Sequence, residues 1–245
     1  MKKIFFVVAR LFATAALAQD ESKLDFSVGA DFVSSYVWRG MFLAGTSIQP
    51  EMDFTVGGFS VGAWGSVGIA NTGTDGIKEV NLIVSHSFGN LSAGFTNYWF
   101  SSQGDYNYFD FSEDANHSLE ANLLYSFGSF PLSLGWNTII AGNNHYLDDK
   151  ANTKRAFSTY VDATYDFLVK DVELGFNVGI SPWKSGVFYT DDLQNGKAEG
   201  FAMVNLSLAA SKNIKISENY SLGIFGQLLL NPAKEDAFFV FGVRF

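Results

Sequence analysis

From Asp25 onward, large apolar residues recur at every second position with few interruptions. In the stretch Asp25 to Arg39, Phe26, Val28, Ala30, Phe32, Tyr36 and Trp38 share one face, and Ser27, Gly29, Asp31, Ser35 and Arg39 share the other. A period of two marks a strand with one apolar and one polar side. The same alternation runs through 47–56, 59–69, 79–88, 91–100, 118–127, 132–140, 156–167, 172–181, 201–211, 221–230 and 237–245, which together with the first stretch predicts twelve strands. Pro50 lies inside the second of them and has no amide hydrogen, so a bulge or local kink is expected there.

The connectors sort by length. Gly57-Gly58, Gly89-Asn90, Gly128 to Phe130 and Leu168 to Asp171 are tight, and Lys212 to Tyr220 is somewhat longer. Between them fall the polar loops Met41 to Thr46, Ala70 to Lys78, Ser101 to His117, Ala141 to Arg155, Pro182 to Gly200 and Asn231 to Asp236. Alternating short and long connectors along an even number of strands are what an outer-membrane-type barrel requires. The apolar parity gathers Ile48, Met52, Phe54, Val61, Leu82, Val84, Phe95, Leu119, Leu123, Leu134, Trp136, Val161, Tyr165, Leu174, Phe176, Val204, Leu206, Ile224 and Leu228, with no Asp, Glu, Lys or Arg among them. A lipid-facing Arg or Lys at mid-bilayer costs roughly 2 to 4 kcal/mol, so lipid would keep that face blank. The pattern therefore predicts an all-β fold, a transmembrane antiparallel up-and-down β-barrel of about twelve strands spanning 19–245.

The two ends extend this picture. Residues 1–18 carry Lys2, Lys3 and Arg10, an apolar stretch and Ala16-Leu17-Ala18 before Gln19, the layout of a secretory signal peptide. At the other end Phe239, Phe241, Val243 and Phe245 are apolar at alternate positions and the last residue is phenylalanine. That strand is expected to pair with the first, so that no backbone edge is left in lipid.

Composition agrees. Of 245 residues, 24 are Gly, 25 Phe and 10 Tyr against 4 Pro, which favours strands and turns. Taking Lys2, Lys3 and Arg10 from the 16 basic residues leaves 13 against 25 acidic ones, an excess of negative charge that excludes a nucleic-acid footprint. The chain has no cysteine, hence no disulfide framework and no thiolate metal site.

The stretch Val33 to Ser66 resembles the opening of the TorF-type porin family of Gram-negative outer membranes. Ser35, Arg39 and Gly40 with Tyr36 and Trp38, then Gln49-Pro50 and the block Gly62-Ala63-Trp64-Gly65-Ser66 carry the resemblance, over about a seventh of the chain. It implies a barrel in the cell outer membrane and transport of small solutes, without naming one. The terminal phenylalanine likewise resembles the signal read by outer-membrane assembly machinery, with Phe239, Phe241, Val243 and Phe245 as its residues.

Chemistry other than passage has little support. The histidines are His86, His117 and His145, and Phe88, Leu119 and Leu147 stand two residues after them, so the His-x-Ser pair of an outer-membrane phospholipase is missing. His145 with Asp148 and Asp149 imitates an omptin-like constellation only by proximity, and solvated loop residues are the expected reading of His117 and His145. The Asp- and Asn-rich runs 143–149 and 189–192 lack EF-hand spacing. No catalytic residue, metal site or cofactor is expected.

By parity, Asp31, Glu51, Asp53, Glu79, Glu120, Asp162, Asp166 and Glu173 point into the lumen, with Arg39, Arg244 and Trp64. An acidic lining favours cations. Gly29, Gly62, Ser66, Gly94, Gly135, Gly175 and Gly179 on the same face are expected to leave room for water. Trp38, Trp99 and Trp183 are expected in interfacial belts, Trp64 as a lumen plug or platform. The expected function is a porin-like channel for small hydrophilic solutes, weakly cation-preferring. The alternative is a non-conducting barrel whose outer loops bind a partner. The expected partners are outer-membrane lipid, the assembly machinery and small solutes or ions, with no nucleic acid and an open oligomeric state.

Overall fold

The computed structural model describes residues 24–69, 78–101, 106–112, 115–147, 150, 153–186, 188–189 and 200–245. The expected signal segment 1–18 and the loop residues Asp148, Asp149, Asp191 and Asp192 lie outside them. Among the described residues there are sixteen strands and no helix. They are β1 (Asp25–Val33), β2 (Tyr36–Trp38), β3 (Met41–Ala44), β4 (Ser47–Val56), β5 (Phe59–Gly68), β6 (Lys78–Phe88), β7 (Leu91–Ser101), β8 (His117–Ser126), β9 (Leu132–Gly142), β10 (His145–Leu147), β11 (Thr153–Arg155), β12 (Thr159–Val169), β13 (Val172–Ser181), β14 (Ala202–Lys215), β15 (Ser221–Asn231) and β16 (Asp236–Arg244).

Twelve of these close into an antiparallel barrel in the order β1, β16, β15, β14, β13, β12, β9, β8, β7, β6, β5, β4. The strands hold 9 to 14 residues, and about 9 to 11 tilted residues suffice to cross a bilayer. Closure is uneven. β1 and β4 register over their full length from Asp25↔Thr55 to Val33↔Ser47. β1 and β16 share only the pairs Asp31↔Arg244, Phe32↔Val243 and Val33↔Gly242, extended by the amide of Phe245 donating to Ala30 and that of Ser34 donating to Phe241. Across the seam Arg244 Nε donates to Asp31 Oδ1 at 2.6 Å and Nη2 donates to Oδ2 of the same carboxylate.

The outer surface carries the apolar parity. Ile48, Met52, Phe54, Val61, Leu82, Phe95, Leu123, Leu134, Trp136, Phe176, Leu208, Leu228, Phe239 and Phe241 are all exposed. Inside, the polar parity is knitted together. Thr96 Oγ1 donates to Asn122 Oδ1, Asn122 Nδ2 to Asn137 Oδ1, and Asn177 Nδ2 to both Asp162 and Thr164. Such a lining satisfies buried polar groups that water would otherwise solvate.

Four sequence expectations fail in instructive ways. The first strand ends at Val33 rather than Arg39, because the chain leaves the sheet and forms the β2–β3 hairpin, so Tyr36 and Trp38 turn inward and are buried. Val204 is 1% exposed instead of outward, because the β13–β14 ladder jumps from Gly179↔Asn205 to Ile180↔Met203 and Val204 is the extra residue. A bulge of one residue re-aims the side chains around it, which strict alternation cannot foresee. β14 runs on to Lys215, four residues past the expected end, paired with β15 as far as Ser221. The loop after β9 holds a further hairpin, β10–β11. At Pro50 the outcome is milder than a bulge. β4 and β5 lose their register pairs at Gln49 and Pro50 and resume at Glu51↔Trp64.

Candidate functional site

The β2–β3 hairpin enters the barrel from the long-loop end and crosses its interior. Its turn is Arg39-Gly40, with φ of 49° and 78°. Two successive positive φ values are the pattern of a tight hairpin turn whose twist matches its strands. Gly40 is required there for a second reason. A Cβ at that position would sit 1.9 Å from the backbone oxygen of Val204, while Asn231 Nδ2 donates to the Gly40 carbonyl at 3.0 Å. The turn is thus pressed against β14 and β15. Arginine is an unusual occupant of a positive φ, and its side chain supplies the reason it stays.

From that turn Arg39 reaches β8, five strands from β1 one way around the barrel and seven the other. Nη1 donates to Glu120 Oε1 at 2.6 Å and Nη2 to Oε2 at 3.0 Å, a bidentate pair in which Glu120 is 0% exposed. Nη1 also donates to the Tyr189 hydroxyl at 2.7 Å. Tyr98 Oη and Asn122 Nδ2 donate to Glu120 Oε2. The guanidinium carbon lies 4.5 Å from the Trp38 ring centre and 4.7 Å from that of Tyr160. Fork-to-fork pairing with a carboxylate beside stacked rings is a role that arginine fills and lysine does not. Around this pair Tyr36 packs on Trp64, Trp38 on Tyr98 and Phe188, and Tyr160 on Tyr189. The upper lumen is filled by an aromatic plug pinned by one ion pair.

Below the plug the interior opens into a cavity of about 220 Å³. Arg39 and Trp38 form its ceiling, and it descends past Asn137, Asp162 and Asn205 to Asp166 and Phe225, toward the short-turn end. Glu51, Asp53 and Glu173 on β4 and β13 are half-buried, as are Asp162 and Asp166. Of the residues expected to line the lumen, Asp31, Glu79, Glu120 and Arg39 are buried, Arg244 pairs with Asp31, and Trp64, Asp162 and Asp166 line the cavity.

Several residues play parts that their spacing does not announce. Trp38 and Trp99 are buried rather than interfacial. Trp99 sits edge-on to Tyr108 beside His117. His117 is buried too, its ring nitrogens contacting Asn97 Oδ1 at 2.9 Å and the Tyr108 carbonyl at 2.7 Å, so it is a structural residue of the loop base and not a solvated one. Trp183 stays exposed, 5.8 Å from Trp136 on the outer surface. Tyr189, placed by its composition in a solvated Asp-rich loop, is buried against the plug. Two of the small inward residues hold side chains instead of water: the Tyr160 ring lies where a Gly179 Cβ would be, and Asp162 lies where a Gly135 Cβ would be. Tyr189 was not foreseeable as a plug residue, because a single tyrosine in a polar loop carries no period.

A closed all-β barrel, apolar outside and polar within, is the class of protein that this geometry defines. No family model matches the chain, and no curated protein matches it in sequence. Solved structures do show similarity. A porin is 14% identical, with 97% of this chain and 83% of the other covered and a TM-score of 0.37. A protein from work on in-meso crystallisation of membrane proteins is 10% identical over 90% of this chain and 83% of the other, at TM-score 0.41. An outer-membrane channel from Pseudomonas putida F1 is 13% identical over 92% and 97%, at TM-score 0.45. At such values the similarities carry no functional argument.

Proposed function

We propose that this chain is an outer-membrane barrel that passes small hydrophilic cations through a narrow, plugged lumen. The observation that carries the reading is the inversion of polarity. Water outside and a dry core inside would reverse the two faces, whereas acyl chains outside and water inside reward this one. The excess of inward carboxylates over guanidinium groups supports cation preference, since low-dielectric walls concentrate the field of a charged lining. In the conformation described, the plug closes the upper lumen, so passage requires the β2–β3 hairpin to move.

Residues 1–18 act in this reading as a cleaved export signal, with Gln19 as the first mature residue. Phe239, Phe241, Val243 and Phe245 on the closing strand are the assembly signal, and outer-membrane lipid and the assembly machinery are the partners. Mass determination of the purified protein checks the first point, and retention of residues 1–18 would refute it.

Planar-bilayer recording tests the transport claim. We expect small, intermittent conductance whose reversal potential under a salt gradient reports cation preference; anion preference sinks the selectivity claim. The pinned plug itself favours a second reading, a non-conducting barrel whose long loops bind a partner. Silence of the wild type together with silence of a plug-opening variant selects that reading.

A further inference from the structure

Beneath the plug, three buried acceptors on cavity-lining residues have no donor, against a single buried donor left over on a lining residue, Arg39 Nε at the ceiling. Asn205 is 5% exposed, and its Nδ2 is committed to Asn177 Oδ1 at 2.6 Å and the Tyr160 hydroxyl at 3.2 Å. Its Oδ1 is buried and receives no donor. Asn81 repeats the situation from β6: Nδ2 donates to Glu79 Oε1 at 2.7 Å, and Oδ1 is buried without a donor. Asp166 Oδ1 on β12 is in the same state. All three residues line the cavity. A buried acceptor without a donor is costly, so each marks a place where something that donates is wanted.

The cavity's own cation does not fill that need. Among the described residues Arg39 is the one Lys or Arg that lines the cavity; its Nη atoms are engaged by Glu120 and Tyr189 at the ceiling, and its Nε has no acceptor there. Asp162 and Asp166 lie four residues apart on the inward face of β12, hence separated by about 13 Å of strand at roughly 3.3 Å per residue. The rings of Trp64, Tyr98, Tyr160 and Phe225 complete the wall. Acceptors and carboxylates call for N–H donors bearing positive charge, and aromatic faces hold such cations while tolerating methylene groups. A sugar-like ligand would need several donors as well as acceptors, whereas the amide nitrogens of Asn81 and Asn205 are spent on the protein and the one lining residue with a buried donor left over is Arg39, at the ceiling. The volume, about 220 Å³, is below the range of drug-sized pockets and admits a short chain.

We propose that this cavity is a binding site for a small aliphatic amine cation, held between Asp162 and Asp166 with Asn81 and Asn205 as neutral acceptors. The inference deepens the channel reading by naming a ligand class, and it rests on that reading only for the route of access from the short-turn end. The site is expected to prefer diamines over inorganic cations, because the methylene chain meets the rings that a bare ion cannot use.

Titration calorimetry of the full-length barrel refolded in detergent is the test, with 1,4-diaminobutane, 1,4-butanediol and potassium chloride as probes. Saturable binding of the diamine and none of the diol is the expected result. Asp166→Asn should weaken diamine binding about tenfold, as loss of a charge-assisted hydrogen bond does. Asp171→Asn, in an exposed turn, should leave it unchanged. Folding of each variant is verified by heat-modifiable gel migration, and Asp162→Asn serves if Asp166→Asn fails to fold. Equal binding of the diol, no diamine binding, or full displacement by equimolar potassium overturns the inference. A barrel that binds the diamine and never conducts refutes the channel and leaves the site standing, whereas one that conducts without binding does the reverse.

Discussion

The upper and lower halves of the lumen are built from the same inward-facing strands, yet they solve opposite problems. Above, one arginine from a hairpin and one glutamate from β8 neutralise each other among rings. Below, carboxylates outnumber guanidinium groups and a cavity remains. The difference teaches that an acidic lining is not by itself an open pore. What closes the lumen is a segment that is not part of the barrel wall.

The sharpest way to break that contrast is to strand the arginine. Glu120→Leu leaves Arg39 uncompensated in a desolvated pocket, and loss of one partner of a buried pair costs about 3 to 5 kcal/mol. That exceeds what the hairpin's ring contacts can readily offset, so the hairpin should leave the lumen. We expect a large rise in bilayer conductance and a red shift of Trp38 emission as the ring meets water. Unchanged conductance with a folded barrel would show that the ion pair does not hold the plug.

Gly40→Ala attacks the same hairpin from its backbone. The new methyl meets the Val204 carbonyl, and a non-glycine residue at positive φ costs about 1 to 3 kcal/mol. A smaller conductance rise than that of Glu120→Leu is expected, with the two variants less than additive because both displace one element.

Deleting Phe245 tests the wall instead of the plug. The residue supplies one backbone bond of the short β1–β16 seam and an exposed ring. Yield of heat-modifiable barrel should fall several-fold while conductance per inserted molecule stays at the wild-type level. The reverse outcome, normal yield and altered conductance, would assign Phe245 to the lumen's workings. In the lower half Asp53→Asn removes one of several like charges and should reduce the cation preference read from the reversal potential only modestly. At the bottom of the scale stands Asp171→Asn. Lys212 Nζ lies 2.8 Å from Asp171 in an exposed turn, and its hydrogen bond holds that carboxyl below its ordinary range. Exposed pairs seldom contribute measurably, so no shift in urea unfolding is expected.

Strand number, the sorting of short and long connectors, and the apolar outer face are visible in the chain because a sheet residue has only two sides to face. Phe54, Leu123 and Leu228 each stand on the apolar parity of their strands, and that period survives translation into three dimensions. The exceptions mark where a second choice intervenes. At Val204 one inserted residue changes the parity, and at Tyr36 and Trp38 the backbone leaves the sheet altogether. Ser34, on the apolar parity, interrupts the alternation of the first stretch, a signal that pointed to the departure without saying in which direction the hairpin would fold.

What the sequence determined alone is the wall, since the sign of the medium on each face is written locally, residue by residue. What only the tertiary structure decided is the content of the lumen. Arg39 meets Glu120 across 81 positions and Tyr189 across 150, and contacts at such separation leave no periodic trace. They are fixed by which loops fold inward and by the void those loops must fill. A carboxylate read as pore lining can therefore become the anchor of a plug, as Glu120 does, while Asp166, two strands away in the sheet order, lines the cavity with a buried oxygen that receives no donor.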